Sequence, residues 1–346
     1  MPPASDLDRR SASATLDLRL EAAAQLGWRV TCLDPETRGL WRLERGDRSV
    51  VLSGPLTSLN DAAAARISAD KFHTSTLLRE AGFAVPDTVR CLRPSAHLPA
   101  GPAPDRFASQ RGLAPALGFA EAHGFPLVVK PNRGGQGKAV ACVDDRVGLA
   151  AALDAAWAVD ELALIQPALP GLDLRVDLLD GALLVAYLRR PVALRGDGRS
   201  TVLELLAALD PRAREPGFVD RLRTEAIWAT TLAAAGIDEH GVLADGQALE
   251  FAATVLNLNR CCTAEVFTEL PPAWLEFASQ IADRLRLRHC GLDLRIPASA
   301  DPLAADPREA IVLEANAAPG IMQIHRLGRT ELALAAERRV LLAMLG

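Results

Sequence analysis

The sequence predicts a mixed α/β (α+β) protein of about two domains, and three observations support this fold class. A chain of 346 residues is long enough to bury a sizeable core. Apolar residues make up 49% of the chain and charged residues 23%, which are globular proportions and exclude disorder or a collagen-like repeat. Segments with helical spacing also alternate with short apolar runs that are typical of strands.

The first 90 residues carry the signals of a small N-terminal α/β domain, over 1–90. Its predicted elements are a helix over 16–26 that ends at Gly27, a strand over 28–33, two short strands within 39–52 and a helix over 60–81. Five prolines and two glycines then fall between residues 91 and 115. Because these residues break regular structure, this stretch is predicted to be a linker or a surface insertion.

The remaining chain predicts a second and larger α/β region. Its first elements are a helix near 119–123, a strand, glycine-rich turn and strand over 125–143, a helix over 145–158, a strand over 162–166 and a hairpin over 173–189 around Asp180-Gly181. Thr201 and Glu204 fit a capping box that begins a further helix. The last predicted elements are a helix over 273–288, strands over 291–296 and 310–317 and a helix from about 330.

Charge and composition disfavour several classes of protein. A formal net charge of −5 argues against a nucleic-acid partner. The first residues are charged and lack the apolar region of a signal peptide, and no uncharged apolar run approaches about 18 residues. Neither export nor a membrane partner is therefore expected. Six scattered cysteines without CxxC spacing predict reduced thiols and a cytoplasmic protein.

Lysine is rare in this chain: only Lys71, Lys130 and Lys138 stand among 38 basic residues. Codon bias and chance are one explanation, and a local need for a compact ammonium group is the other.

The glycine-rich turn over 132–138 lies between two strands, so it fits neither a Walker loop nor a dinucleotide fingerprint. The remaining interpretation is a hairpin whose free backbone N–H groups fold over phosphates. Lys130 either faces an anion there or reaches solvent from an edge strand, and the adjacent turn favours the anion.

A second group of polar residues indicates a metal site. Glu314 and Asn316 are two apart in the apolar strand AIVLEANA, so their side chains emerge on one face. Asp293, in GLDLRI, is placed on a neighbouring strand by this interpretation. A small number of oxygen donors on one sheet is typical of a Mg²⁺ site in which nucleotide phosphates are further ligands of the ion. The alternatives are an ordinary polar sheet face and, for Asn316, a role in the turn that follows.

A phosphate hairpin, paired lysines and a D…E-x-N set in this order resemble the ATP-grasp superfamily of carboxylate-amine ligases. The likeness covers nearly the whole chain and is closest to the ATP-grasp part of cyanophycin synthetase and to RimK-like and glutathione-synthetase-like ligases. It implies an ATP-grasp fold, in which two α+β subdomains clamp ATP behind the small N-terminal domain. The central lid subdomain is then 91–165, and the C-terminal subdomain with the metal site is 166–346. The implied cofactors are ATP and Mg²⁺, with Mn²⁺ as an alternative.

The resemblance also implies roles for individual residues. The nucleotide-binding residues are Lys71, Lys130, Gly134, Gly135, Gln136, Gly137, Lys138, Gln166, Pro167, Ala168, Leu169 and Asp173. The residues implied at the reacting phosphate are Arg189 and its neighbour Arg190, and the metal ligands are Asp293, Glu314 and Asn316. The implied substrate contacts are Arg175, Arg260 and His325. For Arg260 the alternative is a solvated side chain without a role, and for His325 it is an ordinary surface histidine.

Two segments depart from the family pattern. Gln166 stands where the family hinge often has glutamate. Because adenine is bound mainly by backbone atoms, this substitution leaves those contacts in place. The segment 259–262 replaces a small Ser-Thr-Gly-Gly turn with Asn, Arg and two cysteines, so a reshaped substrate pocket is expected. The two cysteines are interpreted as buried thiols, with a redox or metal role as the alternative.

The activity that the resemblance implies is an ATP-dependent ligation. A carboxylate of an amino acid or small peptide becomes an acylphosphate, an amine displaces phosphate, and ADP and phosphate are released. No Mur-type ligase segment follows the metal strand, so an enzyme that forms one amide bond is expected, and the relatives leave a homo-oligomer open. The alternatives are an ATP-dependent small-molecule kinase and a nucleotide-binding regulator without chemistry.

Overall fold

The structure is a computed structural model that describes residue 11 and residues 13–96, 107–135, 137–215, 217–251, 262–299 and 301–345. Its helices are α1 (Ala14–Gln25), α2 (Ala62–Ser68), α3 (Lys71–Glu80), α4 (Ala114–His123), α5 (Arg146–Trp157), α6 (Val202–Leu209), α7 (Phe218–Arg223), α8 (Ala226–Ala234), α9 (Pro272–Arg284), α10 (Met322–Arg326) and α11 (Thr330–Leu345). Its strands are β1 (Arg29–Cys32), β2 (Leu40–Arg45), β3 (Arg48–Ser53), β4 (Val89–Leu92), β5 (Leu127–Pro131), β6 (Ala141–Val143), β7 (Leu162–Pro167), β8 (Leu172–Leu179), β9 (Ala182–Pro191), β10 (Ala193–Arg195), β11 (Ala248–Glu250), β12 (Cys262–Phe267), β13 (His289–Ile296) and β14 (Ile311–Asn316). Within these ranges, no helix has both the length and the apolar character needed to cross a bilayer.

The N-terminal part is the antiparallel sheet β1-β2-β3, whose strands and helix α1 agree with the predicted elements. Leu16 and Leu20 of α1 and Trp41 of β2 lie in one core, to which the C-terminal helix α11 also contributes. The guanidinium of Arg19 in α1 forms a buried ion pair with Glu337 in α11, with Nε 2.7 Å from Oε2. The first and last helices of the chain therefore fold together.

The helix predicted over 60–81 is two helices, and that prediction was wrong about the residues between them. Asp70 has an extended backbone (φ −108°, ψ 102°), and its side chain accepts a hydrogen bond from the His73 amide. It is therefore the N-cap of a new helix, as Asp61 is for α2. The alanine-rich pattern conceals this break because the apolar spacing continues across it. As a consequence α3 begins at Lys71, with this lysine in its first turn.

The central sheet has the strand order β4-β7-β5-β6, and all its pairs are antiparallel. Helices α4 and α5 pack against it and share its apolar core. Helix α4 begins at Ala114 rather than near 119, since Pro115 fits the first turn, where its missing N–H costs nothing. The domain boundaries predicted at 90/91 and 165/166 fall inside β4 and β7.

The main sheet has the order β12-β9-β8-β13-β14, again fully antiparallel. Helix α9 covers one face, with Trp274, Phe277 and Ile281 in the core. The hairpin predicted around Asp180-Gly181 joins β8 to β9, and both turn residues have positive φ values, of 50° and 74°. The predicted strands 291–296 and 310–317 correspond to β13 and β14, which lie side by side at one edge.

A small helical unit is inserted between β9 and β12. The ribbon β10-β11 and helices α6, α7 and α8 enclose their own core, in which Trp228 stacks on Phe251 with ring centroids 4.8 Å apart. The predicted capping box is present at the start of α6, because the Thr201 side chain accepts from the Glu204 amide and the Glu204 side chain accepts from the Thr201 amide. The sequence did not predict α7, α8, α10, β4, β10, β11 or β12.

Asn60 connects the N-terminal part to the main sheet. Its Nδ2 donates to the carbonyl oxygens of His289 and Ala317, at 2.7 and 2.9 Å. Its Oδ1 accepts from the amides of Arg288 and His289, at 2.9 and 3.1 Å. One amide side chain thus fixes the start of β13 and the residue that follows β14.

We expect Asn60→Ala to lower the free energy of unfolding by about 2–3 kcal/mol, because four backbone groups lose their partner. Asn60→Asp keeps both accepted hydrogen bonds but places a charged oxygen against two carbonyl oxygens, so its loss should be at least as large as that of Asn60→Ala. Urea denaturation measures both values. A change below about 0.5 kcal/mol for Asn60→Ala would show that water replaces these contacts without cost.

Candidate active site

A cavity of about 850 Å³ opens between the central sheet and the main sheet. Among the described residues, seven cationic side chains line it: Lys71, Lys130, Lys138, Arg175, Arg189, Arg295 and Arg326. The acidic ones are Asp173, Asp293 and Glu314. All three lysines of a chain with net charge −5 therefore meet in one cavity, which makes it suited to an anionic ligand.

Two of the lysines lie close together at the junction of the sheets. The Nζ of Lys71 donates to the carbonyl oxygen of Gly134 at 2.8 Å and lies 3.5 Å from Oε2 of Glu314. Lys130, in β5, is only 8% exposed, and no carboxylate of the described residues lies within ion-pair distance of it. Burial lowers the pKa of Lys130 to about 8, although Glu314 and Asp293 act in the opposite direction. An anionic ligand, in addition to Glu314, would balance the charges of Lys71 and Lys130.

The glycine-rich loop between β5 and β6 is attached to the first turn of α3. Asn132 accepts from the amide of Lys71 through its carbonyl oxygen, at 3.3 Å, and from the amide of Phe72 through Oδ1, at 2.9 Å. Gly134 and Gly137 have φ values of 117° and 70°, which residues with a side chain rarely adopt. Gly134, Gly135, Gly137 and Lys138 line the cavity, as expected for a loop that presents backbone N–H groups. Gln136 lies outside the described residues.

The end of β7 and the two residues that follow it line the cavity, through Gln166, Pro167, Ala168 and Leu169. The Gln166 side chain is held by Thr88, with Nε2 donating to Oγ1 at 2.8 Å. The Ala168 amide donates to the carbonyl oxygen of Pro126 at 3.1 Å. The Gln166 side-chain amide and the Ala168 backbone amide are thus both engaged within the protein.

Four side chains lie in one row across the main sheet. In register, Tyr187 of β9 is opposite Arg175 of β8, which is opposite Asp293 of β13. Asp293 is in turn opposite Glu314 of β14. Directly opposed residues of antiparallel strands point to the same face, so all four face the cavity. The neighbouring row contains Arg189, Asp173 and Arg295.

Asp293 is the centre of a buried charge network. Its Oδ2 accepts from Nη1 of Arg175 at 2.7 Å, and its Oδ1 accepts from Nη2 of Arg189 at 2.8 Å. Burial raises the pKa of Asp293, but the two guanidinium groups outweigh it and hold the pKa below its ordinary value. Asp177 lies behind this pair and accepts from Nε of Arg175 at 2.6 Å. Asp293 is therefore a carboxylate in the free protein.

Asp173 differs from Asp293, because burial dominates and raises its pKa. Its closest cation is Arg295, whose Nη2 lies 3.2 Å from Oδ1. That oxygen has no well-directed hydrogen bond among the described residues. Asp173 is 5% exposed, and the residue lines the cavity next to the hinge.

The metal that the resemblance implies can be compared with the donors at this edge of the sheet. Asp293 and Glu314 are directly opposed, and Nδ2 of Asn316 contacts Oδ2 of Asp293 at 3.2 Å. Within the described ranges no three His, Cys, Asp or Glu side chains form a metal cluster, so the set is two carboxylates and one amide. Hard oxygen donors of this kind, few in number, fit Mg²⁺ that retains water ligands. The residues present therefore fit the implied ion.

Two predicted residues do not line the cavity. Arg190 follows Arg189 in β9 and thus points to the other face of the sheet, where it pairs with Glu265 at 3.0 Å and is 40% exposed. His325 lies in α10, but the residues of that helix on the cavity wall are Met322, Gln323 and Arg326. Arg260 lies outside the described residues, as does Cys261, whereas Cys262 is a buried thiol in β12.

The structure adds lining residues that sequence reasoning missed. Tyr187 and Arg295 are each two positions from a predicted site residue, so strand alternation was a usable signal for both. Arg326, Ser13 and Thr15 reach the cavity only because α1 and α10 pack together. No local sequence pattern identifies these three.

Comparison with known proteins agrees with this architecture. The chain is 27% identical over 309 residues to the glutathione biosynthesis bifunctional protein GshAB of Mannheimia succiniciproducens, which covers 87% of this chain and 38% of that protein. It is 25% identical over 305 residues to cyanophycin synthetase of Geminocystis herdmanii, and this match covers 86% of this chain and 32% of that protein. The chain thus spans about a third of the length of these curated relatives. No protein-family model matches the sequence.

Among solved structures, a bifunctional glutathione synthetase from Pasteurella multocida superposes with a TM-score of 0.59 and 22% identity. The match covers 98% of this chain and 45% of that one, so the shared fold extends over nearly the whole chain. The predicted fold class is confirmed. The chain therefore has the ATP-grasp fold and is similar in sequence to the GshAB protein and to cyanophycin synthetase.

Proposed function

We propose that this chain is an ATP-dependent carboxylate-amine ligase that forms an amide bond between small substrates, amino acids or peptides. The observation that supports it most is the convergence of all three lysines, the glycine-rich loop and the Asp293, Glu314 and Asn316 set on one cavity. The relatives support the same reaction class, because the named ones synthesise glutathione and cyanophycin.

In this proposal the nucleotide lies between the hinge and the glycine-rich loop. The backbone of residues 166–169 faces the adenine, and the carboxylate of Asp173 accepts from a ribose hydroxyl. Lys71 and Lys130 neutralise phosphate oxygens, and the loop excludes water. Asp293, Glu314 and Asn316 would hold Mg²⁺, which supplies charge neutralisation on the phosphates when bound.

The reaction consists of two displacements. A substrate carboxylate oxygen attacks the γ-phosphorus, the bond to the β-phosphate oxygen breaks, and ADP leaves. The amine nitrogen then attacks the acyl carbon, phosphate leaves with the former carboxylate oxygen, and the nitrogen loses a proton. Arg189, fixed by Asp293, is placed to stabilise charge on the transferred phosphoryl group and on the tetrahedral intermediate.

The test is ADP formation from Mg-ATP with pooled amino acids and dipeptides, with mass spectrometry of every positive pool. The expected product is lighter by one water than the sum of two inputs. A product heavier by one phosphate group would replace the ligase with a kinase. ATP binding without turnover in any pool would contradict the proposal and favour a regulator.

Lys130 predicts how nucleotide affinity depends on pH. With its pKa lowered to about 8, Lys130 is charged below that pH and neutral above it in the free protein. We expect the affinity for ADP with Mg²⁺ to be level below about pH 8 and to fall above it. Calorimetric titration at several pH values measures this, and Lys130→Met should bind more weakly and lose the inflection. The same inflection in both proteins would assign it to another group.

A further inference from the structure

Asp177 of β8 is a buried acid to which the proposed mechanism gives no role. It is 1% exposed and is not among the residues that line the cavity. Its Oδ1 accepts from Nε of Arg175 at 2.6 Å, which is the short distance of a charge-assisted hydrogen bond. Replacing a buried ion pair with apolar side chains is often neutral or stabilising, so stability alone does not account for this carboxylate.

The hydrogen bond to Asp177 draws the guanidinium of Arg175 along the sheet. Arg175 lies opposite Asp293 in register, whereas Asp177 lies opposite Gly291. Nη2 of Arg175 and Oδ1 of Asp177 fill the space that a Cβ atom of residue 291 would need. The guanidinium therefore lies over Gly291, two residues along β13 from Asp293, and only its Nη1 reaches back to that carboxylate.

This placement leaves one position open on Asp293. Its Oδ2 accepts from Nη1 of Arg175 and from Nδ2 of Asn316, at 2.7 and 3.2 Å. Its Oδ1 accepts from Nη2 of Arg189 at 2.8 Å. Each carboxylate oxygen can accept two hydrogen bonds. Oδ1 therefore keeps one lone pair that no described residue uses.

A guanidinium that left Asp177 would compete for that position. Arg175 is 7% exposed, and a guanidinium keeps its proton in proteins, so this buried cation needs a carboxylate partner. The other carboxylates in its register row are Asp293 and Glu314. Both belong to the proposed metal set, whereas Asp177 does not. Asp177 is thus the partner that holds Arg175 without taking a metal ligand.

We propose that Asp177 is a positioning residue for metal binding, which retains the Arg175 guanidinium over Gly291. The carboxylates of Asp293 and Glu314 then remain available to Mg²⁺. The inference rests on the proposed ligase function and deepens it, because that function requires metal and nucleotide in this cavity. Asp177 touches neither of them and acts only through Arg175.

Manganese binding tests this role without catalysis. Asp177→Asn keeps the shape of the side chain and an oxygen acceptor for Arg175, but removes the charge. Free Mn²⁺ is measured by electron paramagnetic resonance in the presence of protein and ADP. We expect Asp177→Asn to weaken Mn²⁺ binding by about tenfold or more, as for the loss of other groups that orient a metal ligand.

The affinity for ADP without a divalent metal gives a second readout with a different sign. Calorimetric titration should show it unchanged or higher in Asp177→Asn, because a released guanidinium can approach the phosphates. Unchanged Mn²⁺ affinity in Asp177→Asn would overturn the proposal. A parallel loss of both affinities would also overturn it, since that result is expected for general damage to the site.

A second substitution tests whether Asp177 acts through Arg175. In an Arg175→Gln background no guanidinium is left to be released, so adding Asp177→Asn should change Mn²⁺ affinity by less than about twofold. The double variant removes both members of the buried pair, which keeps this comparison usable where Asp177→Asn alone is unstable. A tenfold loss that persists in this background would contradict action through Arg175.

The matched control is Asp180→Asn in the turn of the same hairpin. Asp180 pairs with Arg288 at 2.7 Å and does not line the cavity, so the same change should leave the Mn²⁺ and ADP affinities as in wild type. The expected binding changes in Asp177→Asn, without product from any substrate pool, would support the role of Asp177 and contradict the ligase. Product formation with equal Mn²⁺ affinities in wild type and Asp177→Asn would do the reverse.

Discussion

Glu314→Gln is expected to reduce ATP turnover by a factor of about 10²–10³, on the scale of losing one preorganised electrostatic contact at a phosphoryl group. Glu314 lies opposite Asp293 in register, and its Oε2 is 3.5 Å from Nζ of Lys71. The amide keeps the shape but removes the negative charge. It therefore weakens the hold on Mg²⁺ and leaves Lys71 and Lys130 without their nearest carboxylate. Steady-state ADP release measures the loss.

The matched control is Glu265→Gln in β12 of the same sheet. Glu265 is exposed and pairs with Arg190 on the face away from the cavity, so the same change should leave turnover intact. Both variants should unfold within about 1 kcal/mol of wild type in urea, since neither carboxylate is fully buried. Full activity of Glu314→Gln would remove this residue from the metal set.

Gly291→Ala is expected to lower the free energy of unfolding by about 3 kcal/mol or more. Gly291 is buried in β13, between Asp177 of β8 and Asn316 of β14 in register. The guanidinium of Arg175 and a carboxylate oxygen of Asp177 occupy the space that a Cβ atom would need. The added methyl group must displace Arg175 from Asp177 and Asp293, which separates buried charges. Urea denaturation measures the loss.

The control for this variant is Gly118→Ala. Gly118 is an exposed glycine in α4, and a Cβ atom there meets nothing within 4 Å. Alanine at this position should stabilise the protein by about 0.5–1 kcal/mol, because helical glycine is entropically costly. If Gly291→Ala were as stable as wild type, the close approach of Arg175 to this strand would be contradicted.

The parts of the site that follow from local sequence were predictable. Lys130 and the glycine-rich turn belong to one strand-turn-strand unit, so their proximity is fixed by chain connectivity. Glu314 and Asn316 share a face because side chains alternate along a strand. The hairpin at Asp180-Gly181 also follows from turn chemistry, since both residues tolerate positive φ.

The remainder depends on contacts between distant segments. Arg175 and Asp293 are 118 positions apart, and only the register of β8 and β13 brings them together. The helix break at Asp70 depends on one capping side chain within a continuous apolar pattern. Arg326 reaches the cavity through the packing of α10 against α1, which no sequence periodicity reveals.

The central claim is that a substrate carboxylate is activated by transfer of the γ-phosphoryl group. It is tested most directly with a carboxylate substrate labelled with oxygen-18, followed by mass spectrometry of the phosphate released. Attack by the carboxylate predicts that one labelled oxygen leaves with each phosphate and that the amide product retains the other. Unlabelled phosphate, or label that stays in a stable phosphorylated product, would contradict the account.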